Sequence, residues 1–116
     1  MEANDAVRAL AALAHDSRLK IFRALVQAGS TGMSAGEVGA ALGIPPATLS
    51  FHLKELAIAG LVASRQDGRF IFYSADYSRM DELLGYLTEN CCAADGCGTA
   101  CAPASSKRRA KARRSS

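Results

Sequence analysis

The chain has 116 residues, 49% hydrophobic and 22% charged, with a formal net charge of +3. That length admits one domain with a small core, the kind of fold that gains stability by dimerising. No stretch reaches the roughly 18 apolar residues of a membrane span, and the start MEANDAVRAL lacks the basic and apolar regions of a secretory signal, so a cytoplasmic protein with no membrane partner is expected.

Asn4 or Asp5 can cap a first helix through about Ala14, with Val7, Leu10, Ala11 and Ala14 on one face. Asp16 or Ser17 caps a second, in which Leu19, Phe22, Leu25 and Val26 supply core and which Gly29 ends. Ser30-Thr31-Gly32 reads as a loop. Ser34 and Glu37 then form an S-x-x-E capping box: the serine oxygen accepts from the third helical N–H and the glutamate reaches back. Val38, Ala41 and Leu42 give that helix one apolar face, and Gly36 and Gly39 each cost it about 1 kcal/mol against alanine. Gly43 stops it, and Pro45-Pro46 opens the next, because proline sacrifices only an N–H that a helix start leaves orphaned.

This next helix runs from about Pro45 to Ala59. Leu49, Leu53 and Leu56 lie on one side with His52 at its edge, while Ala47, Thr48, Phe51, Lys54 and Ile58 face away and Ser50 and Glu55 flank. Small and hydrogen-bonding side chains at the start of an outer face suit a helix laid into a major groove, although an ordinary helical hairpin would show the same pattern. The segment beyond Gly60 separates the two. Asp67-Gly68 stands between two strand-like runs, as a type I′ hairpin turn requires, and Arg65 and Arg69 bracket its tip. A helix-turn-helix followed by a basic hairpin is a winged helix, and it favours DNA binding. After the hairpin, Asp76 precedes a last helix from Tyr77 to about Asn90, with Met80, Leu83, Leu84 and Leu87 as its apolar stripe. The fold expected is mainly α with a β-hairpin wing over residues 1–90, then a cysteine segment, 91–104, and a basic tail, 105–116.

Leu13-Ala14-His15-Asp16-Ser17-Arg18-Leu19-x-Ile21, Ser50-x-His52-Leu53-x-x-Leu56, Gly60-Leu61-Val62, and the wing residues Gly68 and Tyr73 together make a distinctive set. In these stretches the chain resembles the ArsR/SmtB family of winged-helix repressors. The likeness covers about residues 5–90. It implies a homodimer held by the first and last helices, and binding of double-stranded operator DNA. The residues expected to contact DNA are Ala47, Thr48, Ser50, Phe51, His52 and Lys54 of the recognition helix, with Arg65 and Arg69 of the wing. Phe51 departs from the polar or basic side chain usual there.

All four cysteines, Cys91, Cys92, Cys97 and Cys101, lie together, far from any place where they could staple the fold. If the last helix continues to Cys91, that thiol extends the Met80–Leu87 stripe, and Gly96 and Gly98 let Cys97 or Cys101 fold back onto the adjacent pair. Thiolates select thiophilic ions. Trivalent arsenic suits three sulfurs in a pyramid, which C-C-x4-C supplies. Zinc would need Cys101 as a fourth ligand, with vicinal cysteines in an unusual spacing. A redox pair and an inert tail are the other readings. By resemblance, the C-x-C-D site of one arsenic-sensing branch is absent, because Ala35 to Leu42 contains no cysteine. The zinc-sensing branch is disfavoured, because Asp81 to Glu89 offers no histidine. Vicinal cysteines at the end of the last helix with another a few residues on resemble a further arsenic-responsive branch, with As(III) as inducer and Sb(III) or another thiophilic ion as alternatives.

The charge is unevenly placed. Six of the 14 basic residues occupy the last ten positions and all 11 acidic residues precede them, so residues 1–106 are mildly acidic. Residues 105–116 have no apolar anchor and are expected to be disordered. The only histidines are His15 and His52, with no nucleophile motif beside them and no glycine-rich phosphate loop, so no enzyme is expected. The rival from another class is a thiol-redox or arsenic-transfer protein, which would need no wing.

Overall fold

The computed structural model describes residues 1–90. Among them the order is α1 (Ala3–Leu13), α2 (Asp16–Ala28), β1 (Met33–Ser34), α3 (Ala35–Leu42), α4 (Pro46–Ile58), β2 (Val62–Asp67), β3 (Phe70–Ala75) and α5 (Tyr77–Thr88). Met1–Tyr86 forms one compact unit; of the second, which begins at Leu87, residues 87–90 are described. None of the described helices is long and apolar enough to cross a membrane.

Local chemistry sets most helix ends. The capping box of α3 forms as its sequence requires: the Glu37 N–H donates to Ser34 Oγ at 3.2 Å, and the Ser34 N–H to Glu37 Oε1 at 2.8 Å. Asp76 opens α5 by accepting from the Arg79 N–H at 3.0 Å. Two caps differ from expectation. α1 begins one residue before Asn4, and Asp5 reaches back to accept from the Glu2 N–H at 3.3 Å. The cap of α2 is His15 rather than Asp16 or Ser17, its Nδ1 accepting from the Ser17 N–H at 3.2 Å.

The core gathers Ile21, Phe22 and Leu25 of α2, Val38 of α3, Leu49, Leu53 and Leu56 of α4, then Leu61, Val62, Ala75 and Leu83. Tyr77 Oη donates to the Val26 carbonyl at 2.8 Å and ties the start of α5 to the end of α2. One helix is rotated from the face expected of it, and a second departs at a single residue. α1 buries Ala6, Ala9 and Ala12, leaving Val7 65% and Leu10 42% exposed. The three alanines let α1 approach α2 and α4 closely, which Val7 and Leu10 would prevent. In α2 the fully buried residues include Ile21, whereas Leu19 is exposed. Of the stripe on α5, Leu83 is buried, Met80 half-buried, and Leu84 and Leu87 exposed.

The sheet has the order β1-β3-β2, both pairings antiparallel. β1 is a two-residue strand, Met33 opposite Tyr73 and Ser34 opposite Phe72, that the expected hairpin did not include. The wing turn is also displaced by one residue. Asp67 pairs with Phe70, so the two loop residues are Gly68 and Arg69, and Gly68 alone takes a positive φ, 65°. That is the pattern of a type II′ turn, with glycine at its first central position, rather than the type I′ expected of Asp67-Gly68. Finally, α5 ends at Thr88, two residues before the expected Asn90, and Asn90 turns left-handed at φ 59°.

Candidate nucleic-acid interface

α3 and α4 meet across a short turn. Gly43 closes α3 with φ 68°, its N–H donating to the Gly39 carbonyl at 2.8 Å, and Ile44 donates to the same oxygen at 3.1 Å. Of the two glycines inside α3, Gly39 is the one that close packing requires. A Cβ there would stand 3.1 Å from the Ile44 carbonyl oxygen and 3.4 Å from Leu49 Cδ2, whereas Gly36 has ordinary room. Leu49, Leu53 and Leu56 seat α4 on the core. This seating turns Ala47, Thr48, Ser50, Phe51 and Lys54 to solvent, with Phe51 57% exposed. The exposed N-terminal part of α4 therefore offers two hydroxyls, an aromatic ring and an ammonium on one solvent-facing surface.

His52 does not join that surface. It is 5% exposed, and its Nδ1 is buried with no hydrogen-bond partner among the described residues. Placing it among DNA-contacting residues is corrected on that ground: Leu49, His52, Leu53 and Leu56 share the i, i+3, i+4, i+7 spacing of an inward stripe. The sequence placed His52 at the edge of that inward side, and the family resemblance set it among the DNA contacts. Burial pushes the His52 imidazolium below the usual histidine range, with the neighbouring charges of His15 and Arg18 acting in the same sense. The His15 and His52 rings lie with centroids 4.7 Å apart, tilted by 53°. Arg18 Nη1 reaches Glu55 Oε1 at 3.9 Å, a second link between α2 and α4. His15, Arg18 and Glu55 were not among the expected site residues.

The two wing arginines occupy different settings. Arg69 is an exposed loop residue at the tip. Arg65 sits opposite Phe72, two pairs back from the turn; its guanidinium carbon is 5.1 Å from the Phe72 ring centroid, and Nη1 donates to the Thr31 carbonyl at 3.5 Å. This cation–π contact holds the side chain along the wing instead of at its tip. Phe70 and Ile71 are exposed beside them.

Cys91, Cys92, Cys97 and Cys101 lie outside the described residues, as does the basic tail. Among the described residues no group of three His, Cys, Asp or Glu side chains is placed to hold a metal ion. All four cysteine thiols of the chain lie between positions 91 and 101.

Comparison with known proteins agrees with this geometry. A family model described as a helix-turn-helix domain matches residues 13–65. The chain is 41% identical over 88 residues to the uncharacterized HTH-type transcriptional regulator YceK of Bacillus subtilis, covering 74% of this chain and 84% of that protein. Among solved structures, an ArsR-like transcriptional regulator from Rhodococcus sp. RHA1 aligns with a TM-score of 0.71 at 26% identity, over 79% of this chain and 84% of the other. The homodimeric winged helix-turn-helix domain of Mb0332 from Mycobacterium bovis aligns with a TM-score of 0.60 at 28% identity, over 75% and 81%. A protein described as a possible transcriptional regulator for arsenical resistance aligns with a TM-score of 0.57 at 28% identity, over 67% and 78%.

Proposed function

The chain belongs to the helix-turn-helix transcriptional regulators of the ArsR winged-helix type, and from that premise we propose that it is an arsenite-responsive repressor, binding operator DNA as a homodimer and released when As(III) binds its cysteine segment. DNA reading would fall to Ala47, Thr48, Ser50, Phe51 and Lys54, whose exposure on α4 supports the role. Arg69, and Arg65 held along the wing, would meet phosphates. Two recognition helices related by a two-fold axis would enter successive major grooves about one helical turn apart.

Dimerisation is supported by the apolar surface that the fold leaves outward. Val7 and Leu10 of α1 are exposed, and Leu13, Leu19, Phe22, Val26, Met80 and Leu83 line an apolar cleft of about 400 Å³. A second copy of the chain is the occupant we assign to this face, in line with the homodimeric relative. Such a face is costly to leave in water and typical of an interface.

The clustering of all four cysteines between 91 and 101 carries the arsenite assignment. Three thiolates match the pyramidal preference of As(III), and one structural relative is described as a possible transcriptional regulator for arsenical resistance. By linkage, operator DNA must weaken arsenite binding by the same factor that arsenite weakens DNA binding, on the order of 5- to 150-fold.

The test uses the purified full chain and a duplex selected from a random pool, with release titrated by arsenite, antimonite, zinc and cadmium. Arsenite should release the wild type at the lowest concentration. Cys91→Ser and Cys92→Ser should each retain DNA binding and lose the response, and whichever of Cys97→Ser and Cys101→Ser matches them identifies the third ligand. A normal arsenite response in the Cys91→Ser, Cys92→Ser double variant would falsify the assignment. Release by zinc or cadmium alone would reassign the site to those ions.

A further inference from the structure

Beside the apolar core that α2 and the recognition helix share, the start of α2 brings basic groups against α4. His15 caps α2 through an Nδ1 that must carry a lone pair, because it accepts from the Ser17 N–H. Its ring stands 4.7 Å from that of His52, a buried side chain whose Nδ1 has no partner among the described residues. Arg18, one helical turn after His15, keeps a buried Nε that likewise has no partner among them and turns Nη1 toward Glu55 at 3.9 Å. The other charged groups on elements against α4 are engaged elsewhere or exposed. Asp16 pairs with Lys20 at 3.2 Å, Glu37 with the Ser34 N–H, Arg65 with the Thr31 carbonyl, and Asp5 with Arg79 at 3.8 Å; Arg8, Lys54 and Asp67 are exposed. Glu55, on the next turn of α4, is the acidic group of this contact, and Arg18 occupies it.

We propose that His15 and His52 form a positioning pair that seats the recognition helix only while both rings are uncharged, so that DNA affinity falls as the pair takes up a proton. Each ring contributes differently. A protonated His15 has N–H groups at both nitrogens and cannot accept from Ser17, so α2 loses its cap. A protonated His52 places a charge in a buried site beside a second imidazole and a guanidinium, while Glu55 is paired with that guanidinium. Either event pushes α4 away from α2, and α4 carries Thr48, Ser50 and Phe51 with it. His15 and His52 touch no DNA in this scheme; they act through the orientation of the helix.

The sign is distinctive. Proton uptake by surface histidines ordinarily strengthens binding to polyanionic DNA, whereas a positioning pair of this kind weakens it. This inference rests on the DNA-binding reading of α4, and two measurements keep the two separable. The first is the Kd of the full chain for a selected duplex at constant ionic strength, between about pH 7.5 and pH 5.5, the range in which histidines titrate. Wild-type affinity should fall about fivefold to tenfold. In the His15→Asn, His52→Gln variant, where asparagine preserves a capping oxygen and neither residue titrates, it should stay level or rise. The second is an NMR titration of the imidazole protons in the DNA-free chain. His52 should titrate below the ordinary histidine range, and His15→Asn should raise its midpoint while circular dichroism reports an unchanged fold.

A His52 midpoint indifferent to His15→Asn would overturn the pairing whether or not the chain binds DNA. Wild-type affinity that holds or rises toward low pH would overturn the positioning role alone, and so would an equal loss in the double variant. Failure to recover any duplex would count against the DNA-binding reading, while the NMR result would still decide the pair.

Discussion

Phe51 projects from the recognition helix with more than half its surface in solvent, where an aromatic side chain gains nothing from burial. Its ring lies 5.7 Å from that of His52, so the side chain leans along the helix without being covered. A phenyl group facing a major groove can contact a thymine methyl but has no hydrogen to donate. Phe51→Ala should therefore relax preference at one base position, a thymine, when binding is profiled across a duplex library. An unchanged profile would leave the ring without a part in base reading. Arg69→Ala should instead weaken binding to every sequence and lower the salt slope, as loss of a phosphate contact does. Arg65→Ala should add a loss of wing order, because the same guanidinium lies over Phe72 and bonds the Thr31 carbonyl.

Among the elements, the small strand β1 has consequences out of proportion to its length. It adds a third strand to the wing sheet and brings the loop before it against β3. Gly32 and Gly43 both adopt positive φ, 76° and 68°, but their surroundings differ. A Cβ on Gly32 would collide with the backbone carbonyl of Tyr73, whereas one on Gly43 would meet nothing within 4 Å. Gly43→Ala should cost about 1–2 kcal/mol, the strain of a left-handed L-residue. Gly32→Ala should cost more, roughly 3 kcal/mol or above, because the sheet edge must also move. Urea denaturation of both variants checks the order; equal losses would mean that the β1–β3 contact yields easily. The cap of α3 offers a calibration, since Ser34→Ala should cost about 1 kcal/mol.

For the molecule as a whole, the pattern of burial on α1 is the decisive feature. Its alanines face inward and its larger side chains outward, so the helix serves the core only in part. Leu10→Asp should leave the protomer folded, since Leu10 is 42% exposed, but place a charge at the face assigned to the second copy. Sedimentation should then show a monomer, and affinity for a two-fold duplex should fall about a hundredfold or more through loss of bivalency. A dimer that survives this substitution would move the interface elsewhere. The C-terminal charges act on a longer scale. Deleting residues 105–116 removes six positive charges and should weaken specific and nonspecific binding by similar factors while flattening the salt dependence. Arsenite affinity without DNA should stay the same, because all four cysteines remain. Unchanged DNA affinity and salt slope would leave these residues no part in binding.

The chain's own local chemistry determined where the helix-turn-helix and the wing would form. Ser34 and Glu37 cap α3, Gly43 ends it, Pro46 opens α4, and Leu49, Leu53 and Leu56 make its inward stripe, all through interactions spanning a few residues. The outward face of α4 is the complement of that stripe, so Thr48, Phe51 and Lys54 were legible from spacing alone, with Ser50 at its flank. Tertiary structure decided what short-range signals leave degenerate. Periodicity marks two apolar arcs on α1, and only the need for close approach to α2 and α4 selected the alanines for burial. β1 exists because β3 supplies its hydrogen bonds, which no pattern in Met33-Ser34 encodes. The wing turn moved to Gly68-Arg69 because the register of β2 on β3 pairs Asp67 with Phe70. His52 went inward because its position on the stripe outweighed its polarity, and the ring it met, His15, lies 37 residues earlier in the sequence.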